Sequence, residues 1–206
     1  MNELGRRRLA RRAAHLDLDR ADLTAVLLRA RDGDRAAETA LIRRTMPDVW
    51  RFCAHLVGDG HADDAVQATY VRALRSMRTF RGDSSAKTWL LGVARNTCLD
   101  ELRSRGRRQR IVERIEAQPQ EDAQHDRDVV DRSHLATSVR ELQLDRREAF
   151  VLTQVLGYSY EEAAAVLHCP VGTIRSRVAR ARQDLAVSVG AGDLPFDGPR
   201  EVGAAG

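Results

Sequence analysis

The sequence predicts an all-α protein built from two small helical domains joined by a flexible linker. Three observations carry that expectation. Hydrophobic residues reach 43% while aromatics supply only 4%, so the core falls to Leu, Val and Ala, and the abundance of Ala, Leu, Arg and Glu favours helix over strand. Apolar residues recur at three- and four-residue spacing in two separate blocks. Between the blocks lies AQPQEDAQHDRDVVD, residues 117–131, whose acid, Gln and low hydrophobicity are the composition of a tether. A chain of 206 residues has room for two such domains.

Residues 1–20 read as a basic, poorly patterned N-terminal extension, with five arginines between Arg6 and Arg12. Helical periodicity begins with Leu23, Val26, Leu27 and Ala30, and Asp32-Gly33-Asp34 breaks it. A second helix is expected from about Arg35 to Thr45, and Pro47 suits the first turn of a third carrying Val49, Trp50, Cys53 and Leu56. Gly58-Asp59-Gly60 closes that helix, a fourth runs from about Ala62 to Met77, and Arg81 to Ser85 form a loop. The stretch from about Ala86 to Ser104 is apolar nearly all round, through Trp89, Leu90, Leu91, Val93, Ala94, Cys98 and Leu102, which marks a helix central to its domain. The first domain is thus placed at 21–116, the acidic linker at 117–134, the second domain at 135–187, and a Gly- and Pro-rich disordered tail at 188–206.

Charge is unevenly distributed. The net value is only +4, yet six arginines lie between Arg103 and Arg114 and four between Arg175 and Arg182. Clustered cations favour a polyanionic partner, although each cluster alone is equally well a solvated helix face. Cys53, Cys98 and Cys169 lie far apart among apolar neighbours and read as small hydrophobes, so no metal and no cofactor is expected. No apolar run approaches the ~18 residues of a membrane span, and a cytoplasmic protein without membrane insertion is expected. No carboxylate pair, nucleophile triad or phosphate-binding glycine loop is recognisable, so enzymatic activity is not expected.

The chemistry concentrates near the C-terminus. Ser159-Tyr160-Glu161-Glu162 has the form of a capping box opening a helix to about Leu167, and Ala163, Ala164 and Ala165 allow a second helix to cross closely. After the short turn at His168-Cys169, Pro170 suits the start of another helix, which makes a helix-turn-helix whose second member enters the DNA major groove. At 100° per residue, Ile174, Val178, Ala181 and Leu185 form its packing face, while Ser176, Ala179 and Gln183 point away beside Gly172. Arg175 and Arg180 flank that outward face, where they can reach guanine edges or phosphate. Arg177 falls nearer the packing side and is assigned to phosphate or to an intramolecular pair.

SYEEAAAVLHCPVGTIRSRVARAR strongly resembles the second domain of bacterial extracytoplasmic-function (ECF) sigma factors. ADDAVQATYVRAL and FRGDSSAKTWLLGVARNTCLDELR resemble that family's first domain, and the pattern as a whole looks closest to the actinobacterial sigma-C-type subgroup. The resemblance covers about residues 21–110 and 135–186. It implies an initiation factor that binds core RNA polymerase, through the clamp helices of the largest subunit and the flap region, and directs it to promoter DNA. Asp63, Asp64, Val66 and Gln67 match the clamp-docking segment. Phe80, Gly82, Asp83, Ser84 and Lys87 match the loop that captures a flipped base of the melted −10 strand, and Asn96 matches a strand-contacting position. Thr88, Arg95, Asn96 and Arg103 share one polar strip on the same helix, so Arg95 and Arg103 join the single-strand candidates. Thr173, Arg175, Ser176, Ala179 and Arg180 are the candidates for reading the −35 element as duplex.

The sequence departs from the family pattern at three points: Gln67-Ala68 where Gln-Glu is usual, Leu144-Asp145 where Leu-Pro is usual, and His168 where the turn often has Gly. Trp89 reads better as a core residue than as a melting wedge. The Arg103–Arg110 run is read as phosphate-contacting in preference to a solvated helix end. An anti-sigma factor is a further partner class. The alternative reading is a helix-turn-helix regulator that binds duplex DNA without forming a holoenzyme; an enzyme acting on nucleic acid has only the basic charge in its favour.

Overall fold

The computed structural model describes residues 18–115 and 134–189, and no strand occurs among them. The N-terminal extension before Leu18, the linker and the tail lie outside the described residues. The first domain begins earlier than its periodicity suggests. Leu18 is fully buried, Asp19 pairs with Arg43, and the Arg44 guanidinium donates to the carbonyls of Leu18 and Ala21 at 2.6 and 2.7 Å.

Helix α1, Leu23–Arg31, and helix α2, Arg35–Val57, are each opened by an aspartate. The Asp22 carboxylate accepts from the N–H groups of Thr24 and Ala25, and Asp34 accepts from those of Ala36 and Ala37. These bonds satisfy donors that no preceding turn can reach, and they hold both carboxyls below the ordinary range.

One continuous α2 replaces the two helices expected to meet at Pro47. Proline removes a backbone donor and costs about 3 kcal/mol inside a helix. Leu41 before it and Val49 and Phe52 after it lie on one buried stripe, and each buried apolar side chain contributes about 1.5–3 kcal/mol. Burial therefore outweighs the break. Gly58, at φ 87°, adopts the left-handed backbone that lets α3, Asp59–Ser76, follow α2 directly.

A 3₁₀ turn over Met77–Thr79 leads to the loop and then to α4, Ala86–Ile115, about ten residues longer than its apolar pattern suggests. The Ser85 hydroxyl accepts from the Thr88 N–H at 3.1 Å and so acts as its N-cap. Helices α1, α2 and the start of α4 enclose one core around Leu18, Leu27, Leu41, Met77 and Phe80. Further along, α2, α3 and α4 enclose Phe52, Leu56, Leu90, Leu91 and Cys98. Cys53 and Cys98 are both fully buried there, as their apolar flanks predict.

The second domain comprises α5 (His134–Glu141), α6 (Leu144–Phe150), α7 (Tyr160–Leu167) and α8 (Val171–Val189). A π-helical turn, Val151–Val155, follows α6. Its core of Phe150, Leu152, Val166, Ile174 and Leu185 is continuous with that of the first domain, because α7 packs on α4, and α5 and α6 pack on α2. Polar contacts border the seam. Arg140 pairs with Asp59 at 3.3 Å, and Arg147 donates to the Leu56 carbonyl at 3.2 Å.

Candidate nucleic-acid interface

The helix-turn-helix forms as its local chemistry dictates. The Ser159 hydroxyl accepts from the Glu162 N–H at 3.1 Å while the Glu162 carboxylate accepts from the Ser159 N–H at 2.9 Å, completing the capping box. His168 ends α7 in the left-handed conformation, φ 52° and ψ 48°, which is the backbone that the expected glycine would supply. Histidine is enriched there over most side chains.

Helix α8 is two-faced. Ile174, Val178, Ala181 and Leu185 are buried to 1% exposure or less, while Gly172, Arg175, Ser176, Ala179 and Arg180 face solvent. Thr173 is half-buried at the edge, and its carbonyl accepts from the Ser176 hydroxyl at 2.9 Å. The Ser176 oxygen therefore presents its lone pairs outward as an acceptor. Arg177 lies 3.3 Å from the Asp145 carboxylate, an intramolecular pair and so the second of the two roles its angular position left open, and Arg182 donates to Gln154 at 2.8 Å. Of the four arginines, Arg175 and Arg180 are the ones left exposed, away from the packing face.

The first domain holds its candidate residues less uniformly. Gly82 and Asp83 are exposed, Ser84 is half-buried, and Gly82 at φ 85° makes the bend that projects the loop. Phe80 is not on that surface. It is 5% exposed and packs against Trp89 with ring centroids 5.4 Å apart, while Arg31 donates to its carbonyl. The apolar ring is needed to seal the core beside Met77 and Ala86, and Trp89 is half-buried and packed against that core.

On α4, Asn96 and Arg103 are exposed. Arg95 instead donates twice to the buried Glu148 of α6, at 2.8 and 3.1 Å. Burial pushes the Glu148 carboxyl upward in pKa, and the Arg95 hydrogen bonds oppose that shift. Lys87 lies 3.6 Å from Asp48 and 5.9 Å over the Tyr158 ring, so it too faces the second domain. Glu148, Asp48 and Tyr158 were invisible to sequence reasoning. The one available signal was an acid, Glu148, standing beside Ala149 and Phe150 on an otherwise apolar stripe.

Of the docking candidates on α3, Asp63, Asp64 and Gln67 share the exposed face, and Asp63 accepts from the Trp50 indole at 2.9 Å. Val66 does not join them. It is 6% exposed, because its position falls on the core stripe with Ala62, Ala65, Thr69 and Ala73. Ala68 sits half-buried in a cleft between α3 and α4 that Asp64, Arg72, Glu101 and Arg105 also line. Among the described residues no group of His, Cys, Asp and Glu is placed to hold a metal, and no helix is long and apolar enough to cross a membrane.

Residues 41–108 match Sigma-70 region 2 and residues 134–185 match Sigma-70, region 4. The chain is 44% identical over 173 residues to the ECF RNA polymerase sigma factor SigC of Mycobacterium tuberculosis, covering 84% of this chain and 94% of that relative. The chain belongs to the ECF sigma factors. As a member of that family it directs transcription. This ECF sigma factor is also 35% identical over 167 residues to the ECF sigma-E factor of Escherichia coli, across 75% of its own length and 87% of the relative's. Among solved structures it resembles the sigma factor RpoE in complex with the anti-sigma factor NepR from Bartonella quintana, with TM-score 0.59 and 32% identity over 72% of this chain and 93% of RpoE. CnrH in complex with the cytosolic domain of CnrY gives TM-score 0.63 and 25% identity over 82% and 98% of the two chains.

Proposed function

We propose that this ECF sigma factor joins core RNA polymerase through Asp63, Asp64 and Gln67 on α3. It then reads the −35 element as duplex with Thr173, Arg175, Ser176, Ala179 and Arg180 on α8. The melted −10 strand falls to Gly82, Asp83, Ser84, Lys87, Arg95, Asn96 and Arg103. The observation that carries this reading is the division of α8 into a sealed packing face and an exposed face of small residues flanked by two arginines. Small side chains admit the helix to the groove floor, and arginine can pair bidentately with guanine. The role is that of a non-catalytic initiation factor, with polymerisation left to the core enzyme. By likeness to RpoE and CnrH, whose structures hold NepR and CnrY, an anti-sigma partner is included in the proposal.

Arg95 cannot contact a DNA strand while it donates twice to Glu148, so single-strand reading by Arg95 requires the second domain to leave α4. The Lys87 side chain, in contrast, remains 46% exposed.

Reconstituted transcription on fragmented genomic DNA tests the proposal. Core polymerase plus this protein should yield transcripts from a discrete set of fragments, and core alone should not. Failure to associate with core polymerase at low salt would sink the holoenzyme reading in favour of a duplex-binding regulator.

A further inference from the structure

The loop between the 3₁₀ turn and α4 is fastened at both ends by α1. Two backbone groups there lie where regular structure offers no partner. One is the Phe80 carbonyl, where the 3₁₀ turn stops; the other is the Ala86 N–H, among the donors that a helix N-terminus leaves unsatisfied. The Ser85 cap accepts from the Thr88 N–H, so it does not answer Ala86. The Ala86 N–H donates instead to the Thr24 hydroxyl at 3.2 Å, and the Arg31 guanidinium donates to the Phe80 carbonyl at 3.2 Å.

Thr24 and Arg31 are spaced to act together. Seven residues make two turns, so both lie on one face of α1, about 10 Å apart along its axis at 1.5 Å per residue. Leu27, between them on that face, is fully buried in the core that also takes Met77, Phe80 and Ala86. The apolar middle of the face thus holds α1 against the base of the loop. Its two polar ends fix where the loop departs and where it returns. Between those points Arg81, Gly82, Asp83 and Ser85 are exposed, with Gly82 at φ 85°.

We infer that α1 is the platform that presets the base-capture loop, with Thr24 and Arg31 as its positioning residues. This rests on the reading that the loop takes a base of the melted −10 strand. A loop already held in its bound shape loses less conformational freedom on binding, and a pocket with fixed walls tells a flipped base from its competitors. Neither residue needs to touch the strand. Thr24 is half-buried with its oxygen committed to Ala86, and Arg31 is held by Phe80 and Asp32. Ala86 is fully buried, so water does not readily replace a bond its N–H loses.

The test uses holoenzyme assembled from core polymerase and the full chain, with a promoter recovered by the reconstituted transcription described above. Single strands carrying its −10 element, native or with one base changed at each position in turn, report affinity and base preference. The −35 duplex is the control. Thr24→Val keeps the branched shape of threonine without its hydroxyl, whereas Thr24→Ser keeps the hydroxyl. The net worth of one hydrogen bond corresponds to about a threefold to tenfold change in affinity. Thr24→Val and Arg31→Met should each weaken the native single strand by about that factor, reduce the preference for the captured base and leave the −35 duplex unchanged. Thr24→Ser should keep both affinity and preference. Val26→Ala, which thins the core beneath α1, should lower the melting temperature without altering preference.

Unchanged base preference in either Thr24→Val or Arg31→Met overturns the platform. So does an equal loss of preference in Val26→Ala, since general loosening of the domain would then account for the effect. A Thr24→Ser protein that behaves like Thr24→Val overturns it as well. If wild-type holoenzyme shows no preference among the single strands, the capture reading itself falls and takes the platform with it.

Discussion

Arg177 and Arg180 stand three residues apart on α8, yet the fold gives them opposite roles. Arg177 is half-buried against Asp145 and the Cys169 sulfur, whereas Arg180 projects from the exposed face. Arg180→Ala should weaken binding to the cognate −35 duplex and relax its specificity by about 1–3 kcal/mol at one base pair, the worth of a bidentate guanine contact. Core binding should be untouched. Arg177→Ala should instead lower the thermal stability of the protein and leave base preference unchanged. A competition assay against single-base variants of the element, beside thermal melts, separates the two. Loss of core binding in the Arg180 variant would refute the division of labour between the domains. Helical projection from the sequence already separates these two arginines, since 3.6 residues per turn decides which way each points.

At the level of the element, caps do much of the specifying. Ser159→Ala removes one half of the capping box and should cost about 1 kcal/mol of stability, with −35 binding falling as α7 frays and α8 loses its support. Asp22 and Asp34 give the helices of the first domain a pH dependence with a definite sign. Both carboxyls titrate below their ordinary value of 3.8 in the folded chain, so their contribution is present above about pH 4 and is lost as pH falls through the native values. Asparagine caps comparably but carries no charge. The Asp22→Asn, Asp34→Asn double variant should match wild type in melting temperature near pH 7 and lose less on going to pH 2.5. An equal loss in both proteins would place the acid sensitivity elsewhere. The Ser159 capping box was legible as Ser-x-x-Glu before an apolar run, whereas Asp34 read only as part of the break after the first helix. The Pro47 boundary was not legible, because whether a helix survives proline depends on what its flanking turns bury, and periodicity alone does not say what stands opposite Leu41 and Phe52.

For the whole molecule, the decisive contact joins the two domains. Glu148 is 2% exposed and bonded to Arg95, which is 20% exposed, at the rim of an apolar seam. A buried pair of this kind adds little net stability over an apolar replacement, yet removing one partner is costly. Glu148→Gln should therefore shift the free protein toward separated domains. Small-angle scattering should show an increased radius of gyration for the variant without core polymerase. An unchanged profile would mean that the apolar seam alone holds the domains together. The same substitution should leave the affinity of the isolated recognition face for −35 duplex unaltered, since Glu148 lies away from the exposed side of α8.

By itself the sequence determined the helical class, the order of most elements, the helix-turn-helix and the direction each of its arginines points. All of these follow from interactions within a few residues along the chain. Only the tertiary structure decided that α2 runs through Pro47, that Val66 and Phe80 turn inward, and that Arg95 is bonded to Glu148 of the second domain. Each of those outcomes depends on which distant surface covers a given face, and helical periodicity marks a face as apolar or charged without naming what comes to lie against it.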